Sequence, residues 1–386
     1  MRKTVLYLSA ASLFLSSYTL KNDKEYSLAE EHIKNLPEAP EGYKWVVNED
    51  YTDEFNGKRL NAAKWHAKSP YWTNGRPPAT FKAENVSVKK GCLRIINTVL
   101  SPTEGLDGKP GDKYRLAGGA VASVKNQAHY GYYETRMKAS LTTMSSTFWL
   151  SNRPVMKEIM KGGKKIKTWS SQELDIIETM GIIRSVNPDN PWNKTWNMQM
   201  NSNTHYWYQE QGGKRTDNTA KRSDVVSYMT DPSAEDFHTY GCWWVDANTV
   251  KFYYDGKYMY TIKPTTKYTD TPFDRPMFIH IVTETYDWEK QVPTAEDLKD
   301  KDKSTTYYDW VRAYKLVPIE EGSAGSAAGS GEFDVNKDGK VNAIDYAVLK
   351  SILLGTNTNV DLSVSDMNKD GKVNALDLAV LKKMLL

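Results

Sequence analysis

Glu173, Asp175 and Glu178 lie within Ser170-Ser-Gln-Glu-Leu-Asp-Ile-Ile-Glu-Thr-Met-Gly181. On a strand, residues two apart face the same way, so Glu173 and Asp175 share a face. Glu178 is five along from Glu173 and points to the other side, unless one extra residue, a β-bulge, returns it to the first face. Three carboxyls then line one open surface, with Leu174 and one of the following isoleucines behind them. Such crowding is costly unless it is used, and sugar chemistry has a use for it. Retaining glycosidases need two carboxyls roughly 5–5.5 Å apart, one as nucleophile and one as acid/base. A third acid between them can orient the nucleophile and keep its partner protonated by like-charge repulsion. The same spacing also suits a solvated strand or helix face, and spacing alone does not choose.

Glu-Leu-Asp-Ile-Ile-Glu resembles the E-x-D-x-x-E signature of glycoside hydrolase family 16 in its bulged form. The resemblance implies Glu173 as nucleophile, Asp175 as its assistant and Glu178 as acid/base. It continues, in the family's order, through Asp53-Glu-Phe-Asn-Gly57, Tyr132-Tyr-Glu-Thr-Arg-Met-Lys-Ala139, Phe148-Trp-Leu150, Phe237-His-Thr-Tyr-Gly-Cys-Trp-Trp-Val245 and Asp309-Trp-Val-Arg312. It covers residues 43–317. The implied fold is a jelly-roll β-sandwich whose concave sheet carries an open cleft for a polysaccharide.

The elements that would position these acids read independently as mainly β. Short strands between turn signals give the pattern of a sandwich. Residues 85–88 and 93–96 form one hairpin around Lys89-Lys-Gly, and residues 251–254 and 257–260 another around Asp255-Gly, a favoured turn dipeptide. Long helical periodicity is absent until the far end, which argues against alternating strands and helices. Trp (12) and Tyr (24) together outnumber Phe (9) fourfold, a balance suited to stacking on sugars and to filling sandwich cores. A net charge of +3 argues for no nucleic-acid partner. Residues 1–20 read as a secretory signal with an apolar run too short to span a bilayer, so the expected location is extracellular without a membrane anchor. Only Cys92 and Cys242 occur, and both read as buried small hydrophobes without a disulfide framework. His238, before an apolar strand, is assigned to structure.

Pro70-Tyr-Trp-Thr-Asn-Gly-Arg-Pro-Pro78 should be a cleft loop, because its Pro and Gly forbid regular structure. It offers Trp72 as a stacking plate and Arg76 as a cation. Arg153, after Phe148-Trp-Leu150, should reach the same end of the cleft. Guanidinium pairs bidentately with oxyanions, so two arginines beside a tryptophan suit a sulfated sugar, although surface arginines in loops fit equally. Gly75-Arg-Pro77 resembles the porphyranases rather than the family's agarases. That likeness implies hydrolysis of β-1,4 bonds in porphyran, a red-algal galactan bearing 6-sulfated L-galactose, with Arg76 and Arg153 holding the sulfate in the non-reducing-side subsites. The lysine-rich insertion at residues 155–167 departs from that pattern and leaves the aim of Arg153 open. Trp149 would form the cleft floor. Asn201, Asn203 and His205 alternate onto one strand face, and Glu284 and Trp288 sit where related agarases bind sugar hydroxyls. Core packing for the tryptophans and strand-edge polarity for the others remain open.

Residues 321–333 are almost entirely Gly, Ser and Ala, a flexible linker whose uniformity reads as a fusion seam. Beyond it Asp334-Val-Asn-Lys-Asp-Gly-Lys-Val-Asn-Ala-Ile-Asp345 recurs as Asp366-Met-Asn-Lys-Asp-Gly-Lys-Val-Asn-Ala-Leu-Asp377. Asp334, Asn336, Asp338, Asn342 and Asp345 in the first loop, and Asp366, Asn368, Asp370, Asn374 and Asp377 in the second, supply oxygen donors at the spacing of a calcium loop. Lys340 and Lys372 would contribute backbone carbonyls, and Gly339 and Gly371 make the sharp turn. Two Ca²⁺ are expected here; a structural Ca²⁺ on the sandwich is open, since the sequence places no ligands for it. Each loop has an exiting helix but none before it, and ends in Asp rather than Glu. In this, residues 334–386 resemble a type I dockerin, a small all-α calcium-binding module. The resemblance implies a cohesin partner on a clostridial scaffoldin, with Ala343, Ile344, Ala375 and Leu376 choosing it and Lys350, Lys382 and Lys383 on the rim. Competing readings are a β-agarase or other family member acting on a neutral polysaccharide, and a sugar-binding protein that kept the fold without catalysis.

Overall fold

The computed structural model describes residues 28–101, 113–189, 191–220, 228–319, 333–337, 341, 343–354, 364–368 and 370–384. The expected signal at 1–20 and nearly all of the linker lie outside them. The chain divides into two compact units, Met1–Pro318 and Ile319–Leu386.

The first unit is a sandwich of two sheets. One has the order Lys257–Ile262, Thr249–Tyr254, His238–Asp246, Gly131–Lys138, Thr305–Pro318, Cys92–Ile96, Val86–Lys89, with Tyr43–Val47 also on Thr305–Pro318. The other runs Thr216–Thr219, Asn203–Glu210, Lys164–Met180, Ser145–Ser151, Phe278–Thr283, Leu116–Ser123, Trp65–His66. Hairpin pairs at the sheet edges alternate with long-range pairings in the middle, such as Gly131–Lys138 on Thr305–Pro318 and Ser145–Ser151 on Phe278–Thr283, as a jelly roll requires. Alternation drives the layering: Cys92–Ile96 buries every second residue, sending Leu93 and Ile95 between the sheets to meet Phe148, Leu174, Trp244 and Ile279. Both predicted hairpins turn through left-handed pairs, Lys90 (φ 55°) with Gly91 (φ 73°) and Asp255 (φ 47°) with Gly256 (φ 73°).

The two ends of this unit are tied together. Asp53 bridges Val311, and buried Arg312 donates to both carboxylate oxygens of Glu54 at 2.7 and 3.0 Å. Removing either partner would strand a buried charge, at a cost of about 3–5 kcal/mol.

Residues 155–167, the lysine-rich insertion, form most of a β-hairpin. Val155–Lys161 pairs with the start of Lys164–Met180 around Gly162 and Gly163, both at positive φ. The strand bearing the acids is therefore 17 residues long and projects past the sheet. Both cysteines are free; Cys242 is buried, but Cys92 beside the first hairpin's turn is only half-buried, because the turn leaves its edge open. His238 is buried, stacks on Tyr254 and pairs with Asp255 at 2.8 Å. No helix among the described residues is long and apolar enough to cross a membrane.

The second unit has helices Ala343–Leu353 and Ala375–Met384 packed through Val335, Leu349, Met367 and Leu381. These are the expected exiting helices.

Candidate active site

The bulge falls within the acidic stretch. Asp175 sits opposite Trp149 while Ile177 sits opposite Phe148, so Ile176 is the extra residue. Leu174, Ile176 and Ile177 are all fully buried: both isoleucines enter the core, where one was expected, because a bulge turns two successive side chains to the same side. Each contributes about 1.5–3 kcal/mol of burial, and that anchorage is what leaves Glu173, Asp175 and Glu178 on the outer face.

His205 lies across from Glu173 on the neighbouring strand, and Asn203 across from Asp175. The His205 Nε2 is 3.1 Å from Asp175 Oδ2 and 3.9 Å from Glu173 Oε1. Its Nδ1 is 2.9 Å from Asp217 Oδ2. Burial alone would lower the imidazole's pKa, but Asp175, Asp217 and Glu173 outweigh it and push it up to about 11. His205 is therefore a fixed cation at the centre of the acids. Glu173 is held above the usual carboxylate range by burial and by the Asp175 charge, against the pull of His205 and the Trp207 indole N–H beside it. Asp175 is raised by burial and by Glu178. Glu178 is raised by burial and Glu173, and opposed by His205, Arg76 and the Tyr286 hydroxyl, which donates to its Oε1 at 2.9 Å. Glu173, Asp175 and His205 also bring one donor atom each within 4.8 Å of one another. Both nitrogens of His205 lie against carboxylate oxygens, of Asp175 at 3.1 Å and of Asp217 at 2.9 Å.

The floor continues sideways from the acids. Trp149 pairs across the sheet with His280 and stacks on it at 4.1 Å between centroids. Trp72 packs edge-on against Phe81 and Trp149. The Arg76 guanidinium lies 4.2 Å from the Trp288 ring centroid and 5.8 Å from that of Trp72, with its Nε 3.3 Å from Glu284 Oε2. Arg153 takes a different position, 5.4 Å from the ring of Tyr71, which itself stacks on Phe278. The two arginines thus occupy adjacent aromatic plates rather than one shared plate. Asn203 is buried, its carbonyl oxygen accepting the Thr204 N–H.

A family model described as "Beta-porphyranase A-D, GH16 domain" matches residues 45–316. The chain belongs to this family. A second model, the dockerin type I domain, matches residues 332–386. "Beta-porphyranase E" of Zobellia galactanivorans is 50% identical over 283 residues, spanning 73% of this chain and 92% of its own. The crystal structure of a β-porphyranase from the human gut bacterium Bacteroides plebeius is 99% identical to this chain, covers 77% of it and 100% of its own length, and superposes with a TM-score of 0.73. β-Agarase A of Zobellia galactanivorans, at 21% identity and a TM-score of 0.57, shares the fold.

Four residues around the family's acids were not anticipated from sequence. Tyr286 on Glu178, Asp217 on His205, His280 under Trp149 and Trp207 beside Glu173 and parallel to His205 all come from distant segments. Alternation could have offered Trp207, two residues beyond His205, but nothing local distinguished the others.

In the second unit, Asp345 and Asp377 are fully buried. Asp377 accepts the N–H groups of Met367, Asn368 and Asn374, and Asp366 those of Asp370 and Gly371. Asn368 and Asp370 accept the N–H groups of Asp370 and Lys372, and Gly371 turns at φ 80°. In the first loop Asp345 accepts the Asn336 N–H. These inward-turned oxygens fit a hard cation such as Ca²⁺. Asp338, Lys340 and Asn342 lie outside the described residues, as do the side chains of Ala343 and Lys383. Ile344 and Leu376 are exposed, at 56% and 61%, and Ala375, Lys350 and Lys382 are exposed too.

Proposed function

We propose that the chain is a secreted, endo-acting, retaining β-porphyranase, cutting β-1,4 bonds of a sulfated red-algal galactan and attached to a cohesin scaffold by its dockerin. The observation that carries this is the bulge at Ile176, which sets three carboxyls around one cation beside a cleft with arginines on aromatic plates. The names of the relatives supply the substrate class.

Glu173 attacks the anomeric carbon of the β-linked D-galactose as a carboxylate, and the leaving oxygen takes the proton of Glu178. Asp175, paired to His205, holds the nucleophile's neighbour in place and lends the negative charge that keeps Glu178 protonated in the first step. Glu178, now ionised, takes a proton from water, which cleaves the glycosyl ester and leaves the configuration retained. Trp149 floors the site, Trp72 and Trp288 offer stacking faces, and Arg76 and Arg153 hold sulfate on the non-reducing side. Asn203, His205 and Glu284 complete the polar lining. Two Ca²⁺ organise the dockerin, held by Asp334, Asn336, Asp338, Asn342 and Asp345 and by Asp366, Asn368, Asp370, Asn374 and Asp377, with the Lys340 and Lys372 carbonyls. Ala343-Ile344 and Ala375-Leu376 meet cohesin, with Lys350, Lys382 and Lys383 at the rim.

The Arg76–Glu284 pair favours a second reading, since a neutralised arginine suits neutral agarose. Digestion of porphyran and desulfated galactan by the full chain separates the two. Glu173→Ala should abolish reducing-sugar release while still binding porphyran, and Arg76→Ala should weaken only action on the sulfated polymer. Appreciable hydrolysis by Glu173→Ala removes the nucleophile assignment, and preference for the desulfated polymer replaces porphyran with agarose.

A further inference from the structure

A pocket of about 310 Å³ opens beside the acids, lined by Pro154, Trp169, Ser171, Trp207, Gln209 and Arg215 among others. Its place in the sheet is fixed by register. Trp169, Ser171 and Glu173 alternate onto one strand face, and they sit opposite Gln209, Trp207 and His205 respectively. The pocket is therefore a continuation of the catalytic face, beginning one residue pair beyond Glu173 on the side away from Glu178. Arg76 and Trp288, gathered around Tyr286, lie at the Glu178 end. A polymer that crosses the acids from that end has this pocket ahead of it.

The lining has the chemistry of a sugar site. Trp169 is half-buried and offers an aromatic surface, Gln209, whose amide N–H donates to the Gly213 carbonyl, offers its amide oxygen, and the volume admits a monosaccharide unit. Arg215 is exposed and its guanidinium rests 4.0 Å from the Trp207 ring centroid, so it is held at the pocket while its N–H edge stays available. On the hairpin that rises from Pro154, alternation puts Lys165 and Lys167 on the Trp169 face, with Glu158 opposite Lys167 and ion-paired to Lys165.

We propose that this pocket is a second anionic-sugar subsite, in which a sulfated galactosyl unit lies against Trp169 and its sulfate ester pairs with Arg215. This rests on the hydrolase reading above. It makes Arg215 a specificity residue for the sulfated polymer, distinct from Arg76 and Arg153.

The test compares the full chain with Arg215→Ala and Trp169→Ala, measuring hydrolysis of porphyran against salt concentration and, separately, calorimetric binding of porphyran oligosaccharides and their desulfated counterparts. Loss of one charge-assisted contact should raise KM for porphyran by about tenfold with little change in kcat. Arg215→Ala should also flatten the rise of KM with salt and erase the binding preference for sulfated over desulfated oligosaccharide. Trp169→Ala should weaken binding of both. Arg215 is exposed just before Thr216–Thr219, so an unchanged melting temperature is expected. Wild-type KM, salt dependence and sulfate preference in Arg215→Ala would overturn the subsite. An inactive wild type would instead sink the hydrolase reading, and the calorimetry would still decide the subsite.

Discussion

Replacing Tyr286 with Phe removes one hydroxyl, which touches Glu178, the proposed acid/base, and Ser145, and leaves the ring in place. The ring is buried at 1% exposure and stacked between Trp196 at 5.2 Å and Trp288 at 4.6 Å, contacts that Phe retains. What goes is the 2.9 Å hydrogen bond from its hydroxyl to Glu178 Oε1. That bond favours the ionised carboxylate and so opposes the upward pull of burial. Hydrogen bonds to charged groups are worth about 1.5–3 kcal/mol. Ionising Glu178 should therefore become harder by about 1.5–3 kcal/mol in Tyr286→Phe, which raises its pKa further. Glu178 must carry a proton in the first step, so the alkaline limb of kcat/KM should move to higher pH. The same residue must be ionised to activate water in the second step, so the acid limb of kcat should also move to higher pH where that step limits. The assay is reducing-end release from porphyran across pH, with thermal melting to confirm that packing survives. An alkaline limb that stays put or moves to lower pH would refute the assignment of Glu178 as the acid.

Asp217→Asn should lower kcat about tenfold with KM near wild type, because the charge that helps keep His205 protonated is lost without touching the sugar; unchanged steady-state kinetics would count against His205 as a fixed cation. Chelation with EDTA should melt the dockerin and release cohesin while hydrolysis persists, because unfolded loops bind Ca²⁺ poorly; joint loss of both activities would contradict independent modules. Ile344→Asp or Leu376→Asp alone should leave cohesin capture within a few-fold, and the double substitution should abolish it, since the two repeats present equivalent exposed apolar residues; loss from one single variant alone would show that only one helix docks. Pull-down on immobilised cohesin reads both.

The acids were legible because their placement is a local matter. A period of two cannot put residues 173, 175 and 178 on one face, so the chain needs one inserted residue, and the structure has it at Ile176. His205 and Asn203 followed from alternation along a single strand. The hairpin at residues 155–161 was hidden for an opposite reason. All of its residues are exposed, so no buried alternation marked it, and only Gly162-Gly163 recorded the turn.

Charge is where local reading stopped. Tyr286 is 108 residues from Glu178 and Trp196 is 90 from Tyr286; Asp217 reaches His205 only because Asn203–Glu210 and Thr216–Thr219 pair with an offset that leaves the two side chains adjacent. Tyr286 and Asp217 bias the charge of the acids and of His205, and Trp196 packs the Tyr286 ring, yet none alters the pattern of the strand that bears the acids. The motif states which groups can exchange a proton, while the jelly-roll order, by laying the 203–210 and 145–151 strands on either side of it and the 284–288 segment beyond, decides which of them does. It follows that chains with the same acidic stretch can differ in pH response through residues a hundred positions away, with Tyr286 and Asp217 the places to look.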